Sequence, residues 1–417
     1  MKQHSKISAL SCLVCRNRHA WTPQLFVCPD CGGNLLVELR PDALQATGGV
    51  WRDPTQTGVW KYAPLLPLET TEGRTPLTVG GTPLLEFREK IPGGPGRLFF
   101  KDDSRNPSAS FKDRAGAIAL AYAVEMNAPR IAGASTGNAG SSMACLAASI
   151  GRQATVFVPK TAPRAKLTQL LLYGAAVVRV DGVYDDAFDL CTRVCKERGW
   201  FNRNTGANPY TREGKKTVSF ELVDQLGEQQ PDMVFVSAGD GNIFSGVWKG
   251  FRDLLDFGVI QRMPVLVAVQ SDKSNAIALA HQRLLDGVPF AEALQPVSAT
   301  TIADSISVDL PRDGHGALRA LEDCGGFALQ VSDQEILEAA SYLASKTGIF
   351  AEPAGACATA GILKYARTKG FKGNETVVSL VTGSGLKDID SLLKAAPAAI
   401  EVPKDYDAAM KILETAL

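Results

Sequence analysis

Net charge is missing from this 417-residue chain: Lys and Arg total 44, and Asp and Glu total 44. No global field therefore draws it to nucleic acid or acidic lipid. Also missing is any uninterrupted apolar run near the ~18 residues a membrane-spanning helix needs. The amino terminus, Met1-Lys2-Gln3-His4-Ser5-Lys6, is polar and unlike a secretory signal. A cytoplasmic protein with no membrane and no nucleic-acid partner is expected. Of the four histidines, His281 and His315 lack partners at metal-ligand spacing, so surface or core roles are expected of them. Internal repeats and low-complexity tracts are absent. The nine cysteines are odd in number and lack framework spacing, which argues against a secreted disulfide scaffold. What remains is ordinary globular usage, 45% apolar and 21% charged, at a length that suggests two or three domains.

Four cysteines stand together as Cys12-x2-Cys15 and Cys28-x2-Cys31. Two such turns assemble the tetrahedral four-thiolate set that zinc prefers, with no position left for water, so a structural site is expected. Residues 1–50 read as a zinc-ribbon-like module, with Trp21 and Phe26 placed to cover the metal. A core of about thirty residues rarely folds without such a staple. Empty thiols are the alternative. Cys191-x3-Cys195 shares one helix face and reads as core packing.

Beyond Arg97, short β-rich runs alternate with alanine-rich amphipathic segments. Leu98–Phe100, Thr155–Val158, Val177–Val180, Met233–Val236, Val265–Val269 and Val377–Val381 are the runs. Such alternation marks parallel sheets covered by helices, and the number of units suggests two α/β lobes. Residues 51–83 read as an irregular connector. In open parallel sheets, ligands bind where strands end and loops enter helices.

Four such junctions are unusual. Asn106-Pro107-Ser108-Ala109-Ser110-Phe111-Lys112-Asp113-Arg114 leads into a helix, with Ser110 as expected N-cap. Lys112 then lies beside the positive end of the dipole, which lowers an amine's pKa as a nucleophile requires. Ser135-Thr136-Gly137-Asn138 precedes a second helix and offers backbone N–H groups to an anion. Ser237-Ala238-Gly239-Asp240-Gly241-Asn242-Ile243 is a glycine-rich cradle without P-loop or dinucleotide spacing. Thr382-Gly383-Ser384-Gly385 follows the last β-rich run.

Taken in this order, the loops make the chain resemble the fold-type II pyridoxal-phosphate enzymes, the tryptophan-synthase-β-like superfamily, and most closely its threonine-synthase branch. The similarity extends from about residue 60 onward. It rests on Gly81-Thr82-Pro83-Leu84, Ser110-Phe111-Lys112-Asp113-Arg114, Ser135-Thr136-Gly137-Asn138, Glu213-Gly214-Lys215-Lys216-Thr217, Glu352-Pro353-Ala354-Gly355-Ala356 and Gly385-Leu386-Lys387-Asp388. The resemblance implies an α/β fold of two doubly wound lobes. The large one would comprise 51–100 and 205–417, the smaller one 101–204, and the family brings an expected homodimer. It implies that Lys112 holds pyridoxal 5'-phosphate and moves protons. Asn138 would meet the cofactor's ring oxygen, Gly239, Asp240, Gly241, Asn242 and Ile243 its phosphate, and Thr382 its ring nitrogen. Ser135 and Thr136 would grip the substrate carboxylate. The implied reaction converts O-phospho-L-homoserine and water to L-threonine and phosphate. The alternative is β-replacement or elimination on O-phosphoserine, serine or threonine, as in cysteate synthases or ammonia-lyases.

The sequence also departs from the family pattern. Thr205-Gly206 and Thr211 stand where an Asn-Ser pair and an Arg usually contact the substrate phosphate, with Arg212 one position out of register. Lys160, Arg164, Lys166, Arg203, Arg212 and Lys215 are candidate replacements. Ser384 replaces a usual His, and Ala109 a usual Gly. The cradle is one residue shorter and contains Asp240, whose carboxylate must point away from a bound phosphate or be neutralised.

Overall fold

The computed structural model describes residues 4–416, apart from the side chains of Ala165 and Lys166. Three sheets organise them. At the amino end, β1 (Ile7–Cys12) pairs antiparallel with β2 (Arg18–His19) and β3 (Leu35–Leu39). The connector that follows is irregular as expected, except for a 3-10 turn at Gly58–Leu65, and it buries Val59, Leu65 and Leu66 completely.

Two parallel sheets form the body. β4 (Leu84–Phe87) and β5 (Arg97–Asp102) belong to the larger, so the last two residues of β5 reach past the expected boundary at 100. The smaller sheet uses β6 (Ile131–Ala134), β7 (Ala154–Pro159), β8 (Ala176–Val180) and β9 (Phe201–Asn202), in the order β8-β7-β6-β9. β10 (Met233–Ser237), β11 (Val265–Ser271), β12 (Phe327–Val331) and β13 (Thr376–Val381) complete the larger, in the order β12-β11-β10-β13-β5-β4. Only the β4–β5 pairing is antiparallel in that sheet. The central strands β10 and β13 are buried throughout, as their Val- and Phe-rich sequences require when helices cover both faces.

Each expected β-rich run lies in one of these strands. Cys191 and Cys195 are buried core residues. The carboxyl ends of β6, β9 and β10 open onto the same space between the sheets, which sets the position of the site.

Candidate active site

A cavity of about 820 Å³ lies between the two parallel sheets. Its wall includes Lys112, Ser135 and Thr136, Asn138, Arg203, Lys215, and the loop from Ser237 to Ile243. Residues scattered over some 130 positions of sequence thus share one space.

Lys112 is the first residue of the Lys112–Glu125 helix. The expected cap is not used: Phe111 occupies the N-cap position without a side-chain cap bond. Ser110 instead pairs in an isolated bridge with Gly383, while Phe111 N–H donates to the Thr382 carbonyl at 2.8 Å. Ala109 adopts φ +61°, the left-handed turn that lets the chain leave this bridge and enter the helix. The two residues after Lys112 are anchored on the far side. Asp113 accepts from Ser108 N–H at 2.7 Å and its hydroxyl at 2.6 Å. Arg114, fully buried, binds both oxygens of Asp103 at 2.6 and 2.9 Å and both oxygens of Glu221 at 2.8 Å. Lys112 is left to face the cavity. Burial is the main cause that lowers its pKa; Arg203 acts in the same direction, and Asp240 and Glu352 oppose it.

Asn138, expected to precede the second helix, is instead the first residue of the Asn138–Ser149 helix. Its Nδ2 donates to Glu352 Oε1 at 2.9 Å and to Ser305 Oγ at 3.4 Å. Glu352 is buried at the N-cap of the Pro353–Thr368 helix, and burial pushes its carboxyl up to about 7. Thr382 is buried directly after β13 and is not among the residues that line the cavity. Lys387 ties the same region together: its ammonium donates to the Ser108 carbonyl at 2.7 Å and to Ser141 Oγ at 2.9 Å.

The cradle follows β10. Gly241 has φ +87° and caps the Asn242–Asp256 helix. Any Cβ on Gly241 would meet the Asp313 carbonyl at 2.5 Å, and one on Gly239 would meet Ile306 Cα at 2.6 Å. Glycine is thus required by close backbone approach of the 304–314 segment. Asp240 faces the cavity, and its carboxylate accepts from Arg312 N–H at 2.7 Å. Burial raises it to about 6.

The candidate basic residues separate cleanly. Arg212 is fully engaged by Asp313 at 2.6 Å, the Leu35 carbonyl at 2.7 Å and Ser245 at 3.0 Å, and is not among the residues that line the cavity. Lys160 forms an exposed pair with Asp181 at 3.6 Å, and Arg164 is exposed. The side chain of Lys166 lies outside the described residues. Arg203 and Lys215 are buried in the cavity wall. The Arg203 guanidinium has no carboxylate partner among the described residues. Its Nη groups reach only Thr205 Oγ1 at 3.3 Å and the Lys112 carbonyl at 3.4 Å, and its Nε is unbonded. Tyr184, Ser305 and Arg312 also line the cavity. No motif in the sequence signals them; they arrive from the start of one helix and from an irregular loop.

In the amino-terminal sheet, the four sulfurs of Cys12, Cys15, Cys28 and Cys31 lie within 4.8 Å of one another. Cys12 and Cys31 are 3.5 Å apart, Cys15 and Cys28 3.7 Å. Trp21 and Phe26, expected to cover the metal, dock this module on the body. Trp21 Nε1 donates to the Tyr210 hydroxyl at 2.9 Å, and Phe26 packs edge-on against Phe201 at 5.4 Å. Asn34 donates to the carbonyl of Gly206, itself part of the cavity wall.

Comparison with known proteins agrees with this geometry. The family model described as "Pyridoxal-phosphate dependent enzyme" matches residues 75–383. The threonine synthase of Methanocaldococcus jannaschii is 34% identical over 97% of this chain and 98% of its own length. That of Methanosarcina acetivorans is 33% identical over 96% and 97%. Among solved structures, maize serine racemase superposes with a TM-score of 0.63 at 22% identity, covering 75% of this chain and 91% of its own. Diaminopropionate ammonia lyase from Escherichia coli gives 0.62 at 20% identity, covering 76% and 89%. The last two show a shared fold. From the family match and the full-length similarity, the chain belongs to the pyridoxal-phosphate dependent enzymes and, among them, to the threonine synthase family.

Proposed function

We propose that the chain is a carbon–oxygen lyase that converts O-phospho-L-homoserine and water to L-threonine and phosphate, with Lys112 as its catalytic residue. The observation that carries this reading is a half-buried lysine facing a cavity beside a glycine cradle at a helix amino terminus. The donors present fit pyridoxal phosphate. The cradle from Gly239 to Ile243 is too tight for a Cβ at either glycine and presents helix-start N–H groups suited to a phosphate. When bound, the cofactor supplies the electron sink that makes a Cα proton removable.

This chain's residues then divide the remaining work. Lys112, with an amine held below its usual pKa, holds the cofactor and accepts and returns the Cα proton. Asn138 serves the ring oxygen; its bond to Glu352 fixes the amide's orientation. Thr382, a hydroxyl at the end of β13, serves the ring nitrogen. Ser135 and Thr136 bind the substrate carboxylate, and the Gly137 N–H donates to Ser135 Oγ at 3.2 Å, which orients that hydroxyl. Arg203, a buried guanidinium without a counter-ion, takes the substrate's phosphate in place of the family's usual clamp.

The test is a panel of O-phosphohomoserine, O-phosphoserine with sulfite, serine and threonine. Released phosphate and the amino-acid product are measured, with Lys112→Ala as control. Threonine and phosphate from O-phosphohomoserine support the assignment; turnover confined to the other substrates refutes it.

For the amino-terminal thiols we infer a structural zinc. A tetrahedron of Zn–S bonds of about 2.3 Å separates its sulfurs by about 3.8 Å, close to the 3.5 and 3.7 Å observed. A cytoplasmic homodimer is carried over from the family, and sedimentation at micromolar concentration tests its size.

A further inference from the structure

Lys215 ends the Pro209–Lys215 helix and is fully buried. Its stem passes Gly246, where an added Cβ would lie 2.6 Å from Lys215 Cβ. Its Nζ donates to Asn242 Oδ1, four residues nearer the helix start. Four residues are about 6 Å of helix axis, so the side chain runs lengthwise along the Asn242–Asp256 helix and ends at its amino terminus, in the cavity wall.

A cation is out of place there. The helix dipole opposes it, and Lys112 and Arg203 lie near enough to repel it. Among the described residues, no carboxylate pairs with it. Asp313 is held by Arg212, and Glu213 and Asp253 by Lys216 and Lys249. Burial, helped by Lys112 and Arg203 and opposed by Asp240 and Asp313, pushes the amine well below the usual lysine range. Asp240, meanwhile, places a carboxylate in a loop otherwise built to hold an anion. The family binds its cofactor phosphate through the glycine loop, but a carboxylate in that loop needs an offset.

We propose that Lys215 is a direct ligand of the cofactor phosphate in this chain, delivering a positive charge along the Asn242–Asp256 helix to offset Asp240. This rests on the assignment of the Gly239–Ile243 loop as the phosphate cradle. An arriving phosphate supplies the missing counter-ion and so favours the protonated amine.

Equilibrium titration of apoprotein with pyridoxal phosphate and with pyridoxal, which lacks the phosphate, tests it by absorbance and fluorescence. Lys215→Gln keeps a partner for Asn242 but removes the charge. Its affinity for pyridoxal phosphate should fall about tenfold to a hundredfold, the range for a charge-assisted hydrogen bond, and its affinity for pyridoxal should stay within about twofold. Asp240→Asn should shift pyridoxal-phosphate affinity the other way, severalfold tighter. Unchanged pyridoxal-phosphate affinity in Lys215→Gln, or equal losses for both ligands, overturns the proposal. If that variant does not fold, Asp240→Asn decides: absence of tightening overturns it, and tightening specific to the phosphorylated ligand supports it. Wild-type apoprotein that takes up neither ligand overturns the cradle assignment and this inference together. Uptake by wild type with an unaffected Lys215→Gln overturns this inference alone.

Discussion

Replacing Arg114 with Met should loosen the helix start that carries Lys112. The guanidinium makes six hydrogen bonds inside the protein, two to Asp103, two to Glu221 and one each to Thr82 and Thr217. Methionine fills most of the volume but leaves Asp103, fully buried, with only the Thr82 hydroxyl at 2.6 Å as a side-chain partner. Glu221 keeps Lys101 at 2.7 Å. Removing one member of a buried ionic cluster costs about 3–5 kcal/mol. Asp103 lies wholly out of solvent, so the upper part of that range applies. Arg114→Lys should recover only part of the loss, because an ammonium cannot span two carboxylates bidentately. Native-state hydrogen exchange of the 112–125 amides reads the effect: about 4 kcal/mol corresponds to exchange roughly a thousandfold faster. Adding Asp103→Asn to the Met variant should restore part of the protection. A change below about tenfold, or no rescue, would refute the argument that this cluster fixes the Lys112 helix.

Other outcomes follow from the same geometry. Arg203→Met should raise KM for O-phosphohomoserine about tenfold or more, since a charged hydrogen bond is lost, with a smaller change in kcat; an unaltered KM removes Arg203 from the substrate site. Glu352 has a carboxyl raised from 4.5 to about 7 in the folded state, so its ionisation disfavours folding as pH rises through that interval. Glu352→Gln apoprotein should therefore gain about 3 kcal/mol over wild type above pH 7. The gain should shrink toward zero as pH falls to about 4.5, read as urea midpoints across pH; a pH-independent difference contradicts it. Purified protein should carry one zinc per chain by elemental analysis. Chelation should lower its thermal midpoint and also disturb the cavity wall through the Asn34–Gly206 bond; a fully folded ribbon with no metal contradicts the zinc assignment.

The parts of the fold legible in the sequence are those set by local chemistry. β10 and β13 announce themselves as valine-rich runs, and the two C-x2-C turns fix their own convergence. β6 is harder to see, because Ile-Ala-Gly-Ala carries little β propensity and is held by pairing with β7 and β9. Ser110 does not cap the helix as its sequence position suggests, because a tertiary bridge to Gly383 competes with local capping and wins. Which arginine reaches the cavity depends on contacts far apart in sequence. Arg212 and Arg203 look equally available until Asp313, a hundred residues on, engages the first and leaves the second free. The Asp240 carboxylate is visible in the sequence as a misfit, and Lys215 as one candidate cation among six; that its side chain runs to the cradle is legible only from the Gly246 and Asn242 contacts.

The central claim is that Lys112, and no other amine, holds the cofactor. Protein purified with pyridoxal phosphate is reduced with borohydride, digested and mapped by mass spectrometry. The account predicts one stable pyridoxyl addition on the peptide containing Lys112. An addition on Lys215 or any other lysine, or none in protein that retains the visible cofactor band, would contradict it.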